Sequence, residues 1–407
     1  MTDLALLNAN ILDAEAGAII GERTVHISDG KIEEVINGPS GGAQRSIDLK
    51  GLTLMPGLCD GHVHVTAATA DFSLLTAWSP AYVTARAGEI TRNMLLRGFT
   101  TVRDAGGADH GLVRAIDEGY LVGPRILFAG RALSQTGGHG DMRGPGQQTF
   151  ESCFCCAGLG RICDGISEVR RAARDEIRKG ATQIKIMGSG GVASPTDRID
   201  STQFSVEEIL AIVEEAEAAN IYAMAHAYTA RAIERLLECG VRTIEHGNLL
   251  EQSTCDAFLR HGAYLVPTLS TYHAIAREGV QAGMPESMAS SVHQVLEAGT
   301  RALELAYHAG VPLVYGTDLL GAMHKYQLGE MSLRAEVASN ADVIRSATCN
   351  AALAFKREGE FGVIKAGARA DLIALAGNPL DDLQVLQAPD DHLKLVMKEG
   401  TVYKQDF

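Results

Sequence analysis

An alternation of strand-like and helix-like segments through the middle of this 407-residue chain constrains its fold more than any other feature. Short apolar runs predict strands over 58–65, 100–105, 125–133, 183–188, 222–227, 242–247, 264–269 and 312–317. Helical patterns lie between most of these strands, and Ser205 is a typical residue to begin one of them. Eight strands alternating with helices predict parallel βα units and an α/β fold, the (β/α)8 TIM barrel.

Both ends of the chain have a different pattern, in which short strands are separated by turns. Asp29-Gly30 predicts a hairpin turn near the N-terminus, and segments 371–375 and 393–397 predict strands near the C-terminus. We therefore predict two domains. Residues 1–57 with 355–407 would form a small β-sandwich domain, and residues 58–354 would form the barrel.

The charge balance limits the partners of this chain. Lys+Arg 36 against Asp+Glu 50 gives a net charge of −14, which disfavours nucleic acids and anionic membranes. The N-terminus lacks the basic and apolar regions of a signal peptide, and no uncharged apolar run reaches the roughly 18 residues of a membrane span. We therefore expect a cytoplasmic protein.

The eight cysteines fall into two groups. One group is scattered along the chain and is expected to be small buried residues: Cys59, Cys239, Cys255 and Cys349. The other group is clustered in a Gly-rich segment: Cys153, Cys155, Cys156 and Cys163. Free thiols, a local disulfide and a structural zinc knuckle remain alternatives for this cluster.

Two histidines end the first predicted strand of the barrel. His62 and His64 are two residues apart, so a β-strand directs both imidazoles to one side. Converging imidazoles in a buried place are typical of a metal site, although a hydrogen-bonded pair of core histidines would have the same pattern. Because active sites of such barrels lie at the C-terminal strand ends, the polar residues there are the candidates for the site.

A lysine lies in the middle of the fourth predicted strand. Alternation directs Ile184 and Ile186 towards the helices and Lys185 into the barrel. A buried ammonium group is costly, so Lys185 is paired with a carboxylate, neutral, or modified to a carbamate. Three further strands end in ligand-type residues, His226, His246 and Asp318.

As a set, these strand-end residues resemble the amidohydrolase superfamily, in its binuclear-metal subtype. The set consists of His62, His64, Lys185, His226, His246 and Asp318. Segments 55–60, 98–104 and 365–372 also resemble that superfamily, so the resemblance covers nearly the whole chain.

The resemblance implies a role for each residue of the set. His62, His64 and Asp318 would hold one divalent ion, and His226 and His246 the other. Carbamylated Lys185 and a hydroxide would bridge the two ions, which are expected to be Zn²⁺, with manganese or cobalt as substitutes. Asp318 would be the catalytic residue that takes the proton of the hydroxide and passes it to the leaving nitrogen.

Three further segments resemble the bacterial metal-dependent carboxypeptidase and prolidase (Xaa-Pro dipeptidase) branch, near imidazolonepropionase-like proteins: 134–140, 188–195 and 225–229. This resemblance implies a homo-oligomer that releases the C-terminal amino acid from small dipeptides or N-acyl amino acids. It makes His139 and Tyr228 candidate substrate contacts. For His139 the alternative is a loop histidine held between Gly-rich turns.

Other functions are compatible with parts of the pattern. A cyclic amide hydrolase of the imidazolonepropionase type and an ochratoxin-type amidase are the alternatives. Deaminases of this superfamily carry glutamate three residues after the histidine of the fifth predicted strand. In this chain that histidine is His226, and the residue three positions later is Thr229. A non-catalytic scaffold would have lost metal ligands, which are all present. Specificity is expected from loops 66–82, 134–166 and 272–290, and Arg103 is expected to pair with the neighbouring Asp104.

Overall fold

The computed structural model describes residues 3–38, 43–146 and 158–407, which form a mixed α/β fold. The strands are β1 Leu4–Asp13, β2 Ala18–Ser28, β3 Lys31–Ile36, β4 Arg45–Asp48, β5 Thr53–Pro56, β6 Leu58–Val63, β7 Phe99–Asp104, β8 Arg125–Phe128, β9 Ala132–Ser134, β10 Gly160–Ile162, β11 Ile184–Met187, β12 Ala223–Thr229, β13 Thr243–Leu249, β14 Tyr264–Val266, β15 Leu372–Leu375, β16 Leu393–Lys398 and β17 Thr401–Gln405.

The helices lie mainly between the central strands. They are α1 Phe72–Ala77, α2 Pro80–Leu96, α3 His110–Asp117, α4 Ile166–Arg178, α5 Val206–Ala218, α6 Ala230–Glu238, α7 Gln252–His261, α8 Leu269–Glu278, α9 Glu286–Ser291, α10 His293–Ala309, α11 Gly329–Ala335, α12 Asn340–Ser346, α13 Cys349–Ala354, α14 Gln384–Gln387 and α15 Pro389–His392, with a 3₁₀ helix at Gly321–Tyr326. Ser205 caps α5 as predicted and forms a capping box with Glu208. No helix in the described ranges is long and apolar enough to cross a membrane.

Strands from both ends of the chain form one eight-stranded sheet, in the order β17-β16-β15-β5-β1-β2-β3 with β4 beside β1. The predicted turn at Asp29-Gly30 joins β2 to β3, and Glu399-Gly400 joins β16 to β17 in the same way. All four of these residues have positive φ, as a two-residue type I′ turn requires. The joint sheet is confirmed, and the two packed layers of a sandwich stay a prediction.

The central strands form two parallel sheets rather than one continuous eight-stranded sheet. One has the order β6-β7-β8, and the other has the order β10-β9-β11-β12-β13-β14. The predicted strand over 312–317 is reduced to a single bridge between Leu313 and Leu265 of β14. Hydrogen bonds from Leu265 N to Pro312 O (3.0 Å) and from Gly61 N to Tyr315 O (2.7 Å) nevertheless place this segment between β14 and β6.

The third predicted strand, 125–133, is divided into β8 and β9. Gly130 lies between them with φ 72°, a conformation that ends an extended strand. A Cβ at Gly130 would lie 2.1 Å from Glu176 Oε2 of α4, so the backbone must also approach that helix closely. The interruption therefore coincides with a contact between Gly130 and a helix distant in sequence, which the apolar run does not reveal.

The outer faces of the parallel strands pack on helices. Ile184 and Ile186 of β11 belong to one buried cluster with Ile212 of α5 and Val169 of α4. This confirms the predicted alternation and leaves Lys185 on the opposite side of the strand. The scattered cysteines are buried free thiols, as is Cys163, whereas Cys153, Cys155 and Cys156 lie outside the described residues.

Candidate active site

The structure brings the predicted ligand residues together around one cavity. Side chains from different strand ends line it: His62, His64, Lys185, His226, His246 and Asp318. Ligand-type atoms of His62, His246 and Asp318 all lie within 4.8 Å of one another. Asp318 Oδ1 lies 3.4 Å from His62 Nε2 and 3.3 Å from His64 Nε2, and the rings of His226 and His246 have centroids 4.6 Å apart.

Each of these imidazoles has one ring nitrogen held by the protein. His62 Nδ1 lies 2.7 Å from Glu245 Oε2, and His64 Nδ1 lies 2.7 Å from the Gly106 carbonyl oxygen. A carboxylate or carbonyl oxygen only accepts, so these two rings donate from Nδ1 and direct Nε2 towards Asp318. Such an arrangement is what a metal-binding histidine requires, because it fixes both the tautomer and the ring orientation.

The other two histidines are held in complementary ways. His246 Nδ1 lies 2.7 Å from Thr268 Oγ1, which leaves Nε2 for the cavity. His226 is turned round, because its Nε2 lies 3.1 Å from the Gly190 carbonyl oxygen and Nδ1 is therefore the acceptor that remains. Burial lowers the pKa of both side chains well below the ordinary value, so both imidazoles are neutral and have a lone pair to offer.

Lys185 is buried in the wall of this cavity. Burial lowers its pKa to about 8, although the Glu245 and Asp318 carboxylates act in the opposite direction. Among the described residues no carboxylate forms a salt bridge with its ammonium group. Lys185 is therefore not held as a salt-bridged ammonium group among the described residues, and its lowered pKa makes the neutral amine that a modification requires more accessible than in an exposed lysine.

Two of the candidate ligands have an unusual backbone. His246 has φ 77° and Asp318 has φ 52°, and Thr268, which holds His246, has φ 50°. Residues other than glycine rarely adopt this left-handed conformation, and those that do cluster at functional sites. The strained positions therefore coincide with the ligand cluster.

Asp60 fixes the segment that carries Asp318. Its Oδ2 accepts hydrogen bonds from Thr317 Oγ1 (2.6 Å) and Gln327 Nε2 (2.9 Å), and its Oδ1 accepts from the backbone N–H groups of Thr317 and His62 (both 3.1 Å). One buried carboxylate thus ties the first ligand strand to the residue before Asp318. No local sequence pattern around Asp60 indicates this role.

A buried charge network supports His62. Glu245 accepts from the Arg103 guanidinium (2.9 Å) and from Thr243 Oγ1 (2.6 Å), and its other oxygen holds His62. Arg103 was predicted to pair with Asp104, and this prediction is wrong. Neighbouring strand residues face opposite sides, and Asp104 instead accepts from backbone N–H groups of Val65 and Gly106.

The two predicted substrate contacts lie in different environments. His139 lines the cavity and stacks on His226, with ring centroids 4.2 Å apart. Tyr228 is buried, its hydroxyl lies 3.2 Å from that of Tyr272, and it is not among the described residues that line the cavity. A role for Tyr228 in substrate binding stays a prediction.

The remaining cavity wall is mainly apolar but also includes the charged side chains of Arg131, Asp141 and Arg143. The cavity has a volume of about 320 Å³. Its apolar wall is formed by Phe72, Leu75, Met142, Leu159, Ile162, Met187 and Leu320. Two of the predicted specificity loops, 66–82 and 134–166, contribute to it, whereas no described residue of 272–290 lines it. The site therefore combines a polar ligand cluster with an apolar compartment.

Comparison with known proteins identifies the class. The profile of the Amidohydrolase family matches residues 53–403, so the chain belongs to this family. The resemblance to the amidohydrolase superfamily is thereby confirmed. Members of this family are generally metal-dependent, which agrees with the ligand cluster.

The chain is similar to particular proteins over most of its length. The structure of a prolidase complexed with N-methylphosphonate-L-proline is 47% identical, covers 99% of this chain and 100% of that chain, and has a TM-score of 0.97. The structure of a Xaa-Pro dipeptidase with bound methionine in its active site is 28% identical and has a TM-score of 0.88. The match covers 98% of this chain and 99% of that chain. Ochratoxinase of Aspergillus niger is 33% identical over 365 residues, which are 86% of this chain and 75% of that protein.

Proposed function

We propose that this protein is a metal-dependent amide hydrolase that releases the C-terminal amino acid from Xaa-Pro dipeptides or N-acyl amino acids. The observation that carries the proposal is the convergence of four oriented imidazoles, a carboxylate and a buried lysine on one cavity. The likeness to a prolidase bound to a proline-derived ligand supports a small-molecule substrate of this kind.

The donor set fits two divalent metal ions. His62, His64 and Asp318 would hold one ion, His226 and His246 the other, and Lys185 as its carbamate would lie between them. Imidazole and carboxylate ligands together favour Zn²⁺. When bound, the ions would act as Lewis acids and lower the pKa of a water molecule to near 7.

The side chains of this chain would handle the protons. Neutral Lys185 would add carbon dioxide, forming an N–C bond and releasing one proton, which converts the neutral amine into an anionic carbamate suited to two nearby cations. Asp318 would accept a proton from the attacking water and transfer it to the leaving nitrogen. His139, which lies over His226 in the cavity wall, would contact the substrate carbonyl or carboxylate.

An ochratoxin-type amide is a second candidate substrate. The 33% identity to ochratoxinase and the apolar wall that includes Phe72, Leu75 and Leu159 favour it. Both candidates share the same chemistry, namely cleavage of an amide to an amino acid with a free carboxylate. They differ in the size of the acyl group that the apolar wall must accept.

A hydrolysis screen on zinc-loaded protein tests the proposal. The substrates would be L-Xaa-L-Xaa dipeptides with an Xaa-Pro set, N-acetyl- and N-formyl-amino acids, and ochratoxin A, with free amino acid as the readout. Turnover confined to substrates with a free C-terminal carboxylate supports the proposal, and a proline preference makes the protein a prolidase. Silence across the set with two ions bound per chain would refute it and favour cyclic amides.

We also propose that the two parallel sheets are arcs of one (β/α)8 barrel over 58–354, with a separate β domain of residues 1–57 and 355–407. The hydrogen bonds that hold segment 312–318 between β14 and β6 support closure on that side. An experimental structure of the zinc-loaded protein tests this proposal. An opening between β14 and β6 in that structure would contradict it.

A further inference from the structure

A buried aspartate lies behind the candidate substrate contact His139. Asp197 Oδ2 is 3.4 Å from His139 Nδ1, and the two side chains are 2% and 12% exposed. His139 Nδ1 is itself buried and has no hydrogen-bond partner at normal distance. Asp197 Oδ2 is therefore placed to accept a hydrogen bond from this nitrogen. The two side chains would have to approach by a few tenths of an ångström to reach normal hydrogen-bond distance.

The same carboxylate is fixed by neighbouring donors. Its Oδ2 accepts from Gly191 N (3.2 Å) and from Gln203 Nε2 (2.9 Å). Gln203 in turn accepts from His139 N through its own Oε1 (2.8 Å). Gln203 thus holds the backbone of His139 and also the Asp197 carboxylate that lies beside the His139 side chain.

The His139 ring is also confined on its two faces. It stacks on His226 at an interplanar angle of 18°, and a Cβ at Gly191 would lie 2.3 Å from His139 Cε1. The ring therefore has little room to rotate, and the question that remains is which nitrogen carries the proton. In a neutral imidazole this is decided by the partner of one nitrogen.

We propose that Asp197 is a positioning residue that accepts a hydrogen bond from the Nδ1–H group of His139 and so presents His139 Nε2 to the substrate. The role of Nε2 towards substrate rests on the proposed function, whereas the position of the proton does not. Nothing in the pattern of catalytic motifs marks Asp197, which lies in a loop twelve residues beyond Lys185.

Nitrogen NMR of the zinc-loaded protein with ¹⁵N-labelled histidine tests the proton position without any substrate. The signal of His139 is assigned by its absence from the His139→Gln variant. A protonated Nδ1 in the wild type, replaced by a mixture of tautomers in Asp197→Ala, is the expected result. A proton on Nε2 in the wild type would overturn the inference.

A double-mutant cycle tests how Asp197 acts once a substrate is known. Loss of such a supporting partner lowers activity by about 10–100-fold, so Asp197→Ala should lower kcat/KM by that factor in the wild-type background. The same change should cost nothing further in a His139→Ala background. Asp197→Asn keeps an acceptor for Nδ1 and should restore most of the loss.

The control is Asp200→Ala in the same loop, because the Asp200 side chain forms an exposed salt bridge with Arg198 and its backbone carbonyl, which accepts from Arg231, is kept in the variant. It should leave kcat/KM unchanged. An equal loss from Asp197→Ala in both His139 backgrounds would mean that Asp197 acts on the fold rather than through His139. Absence of wild-type turnover on every substrate would refute the proposed function alone, because the NMR result is independent of it.

Discussion

Replacement of Glu245 by glutamine is the most informative change that the structure suggests. Glu245 is fully buried and holds two groups at once, His62 Nδ1 at 2.7 Å and the Arg103 guanidinium at 2.9 Å. Glutamine has nearly the same shape but no charge, and one of its two terminal atoms is a donor. If its oxygen faces His62, its NH₂ group faces the donors Arg103 and Thr243; if it is reversed, the amide donates to His62 Nδ1.

Each orientation of the glutamine side chain is expected to weaken a different property of the protein. The first leaves a buried guanidinium without its counter-charge, and breaking a buried pair in this way costs about 3–5 kcal/mol of folding free energy. The second forces the His62 proton onto Nε2, the nitrogen that faces the predicted metal site. Loss of a partner behind a metal ligand lowers metal affinity by about 10–100-fold.

Chemical denaturation and zinc titration against a competing chelator measure the two effects separately. Glu330→Gln is a matched control, because Glu330 forms an equally buried pair with Arg334 (2.9 Å) but contacts none of the predicted ligands. We expect both variants to lose stability and only Glu245→Gln to lose zinc affinity. Equal zinc affinity in Glu245→Gln and wild type would refute the proposed role of Glu245.

Three further predictions follow from the same geometry. Lys185→Ala should lose metal occupancy, measured by elemental analysis, and activity; short added carboxylates should restore part of both, and full activity without them would count against the carbamate. Gly191→Ala should lower kcat/KM, because its Cβ would lie 2.3 Å from His139, whereas Gly329→Ala, with no atom within 4 Å, should not; equal kinetics would contradict the close contact. Burial lowers the pKa of His324 to about 3 from 6.5, so the folded state resists protonation and the free energy of unfolding should fall as pH drops from 6.5 towards 3. Chemical denaturation of His324→Gln should show a shallower decline of stability over that window. Parallel pH profiles of the variant and the wild type would exclude this cause.

The sequence was sufficient for most of the central architecture because local signals agree with one another there. Apolar runs, a capping serine at 205 and the alternation around Lys185 each predict an element that the structure contains. The turn at Asp29-Gly30 follows from backbone chemistry, since it needs positive φ at two successive residues. These features depend on residues close together in the chain.

Features that depend on distant contacts were not accessible in this way. The split of 125–133 coincides with the close approach of Gly130 to Glu176, and the segment over 312–317 forms only a single bridge, between Leu313 and Leu265. The partner of Arg103 lies 142 residues away, so no local pattern could identify it. The sequence could only exclude Asp104 as the partner of Arg103, because the side chains of adjacent strand residues point in opposite directions.

The candidate site contains one feature that alternation alone would predict incorrectly. Thr243 and Glu245 face the interior of the parallel sheet and Ile244 faces the helices, so His246 should face the helices as well. Its φ of 77° breaks the alternation, and both Glu245 and His246 reach the ligand cluster from consecutive positions. One residue thereby becomes a ligand while its neighbour supports a ligand of another strand.

Such a backbone conformation has to be held by its surroundings. A left-handed residue other than glycine costs about 1–3 kcal/mol, and His246, Thr268 and Asp318 all have this conformation. The hydrogen bond between His246 and Thr268 restrains the first two, and the bonds from Asp60 to Thr317 restrain the segment that leads to the third. The strain is thus opposed by contacts between residues that are distant in sequence, so the geometry of the cluster depends on several segments of the fold rather than on any one strand.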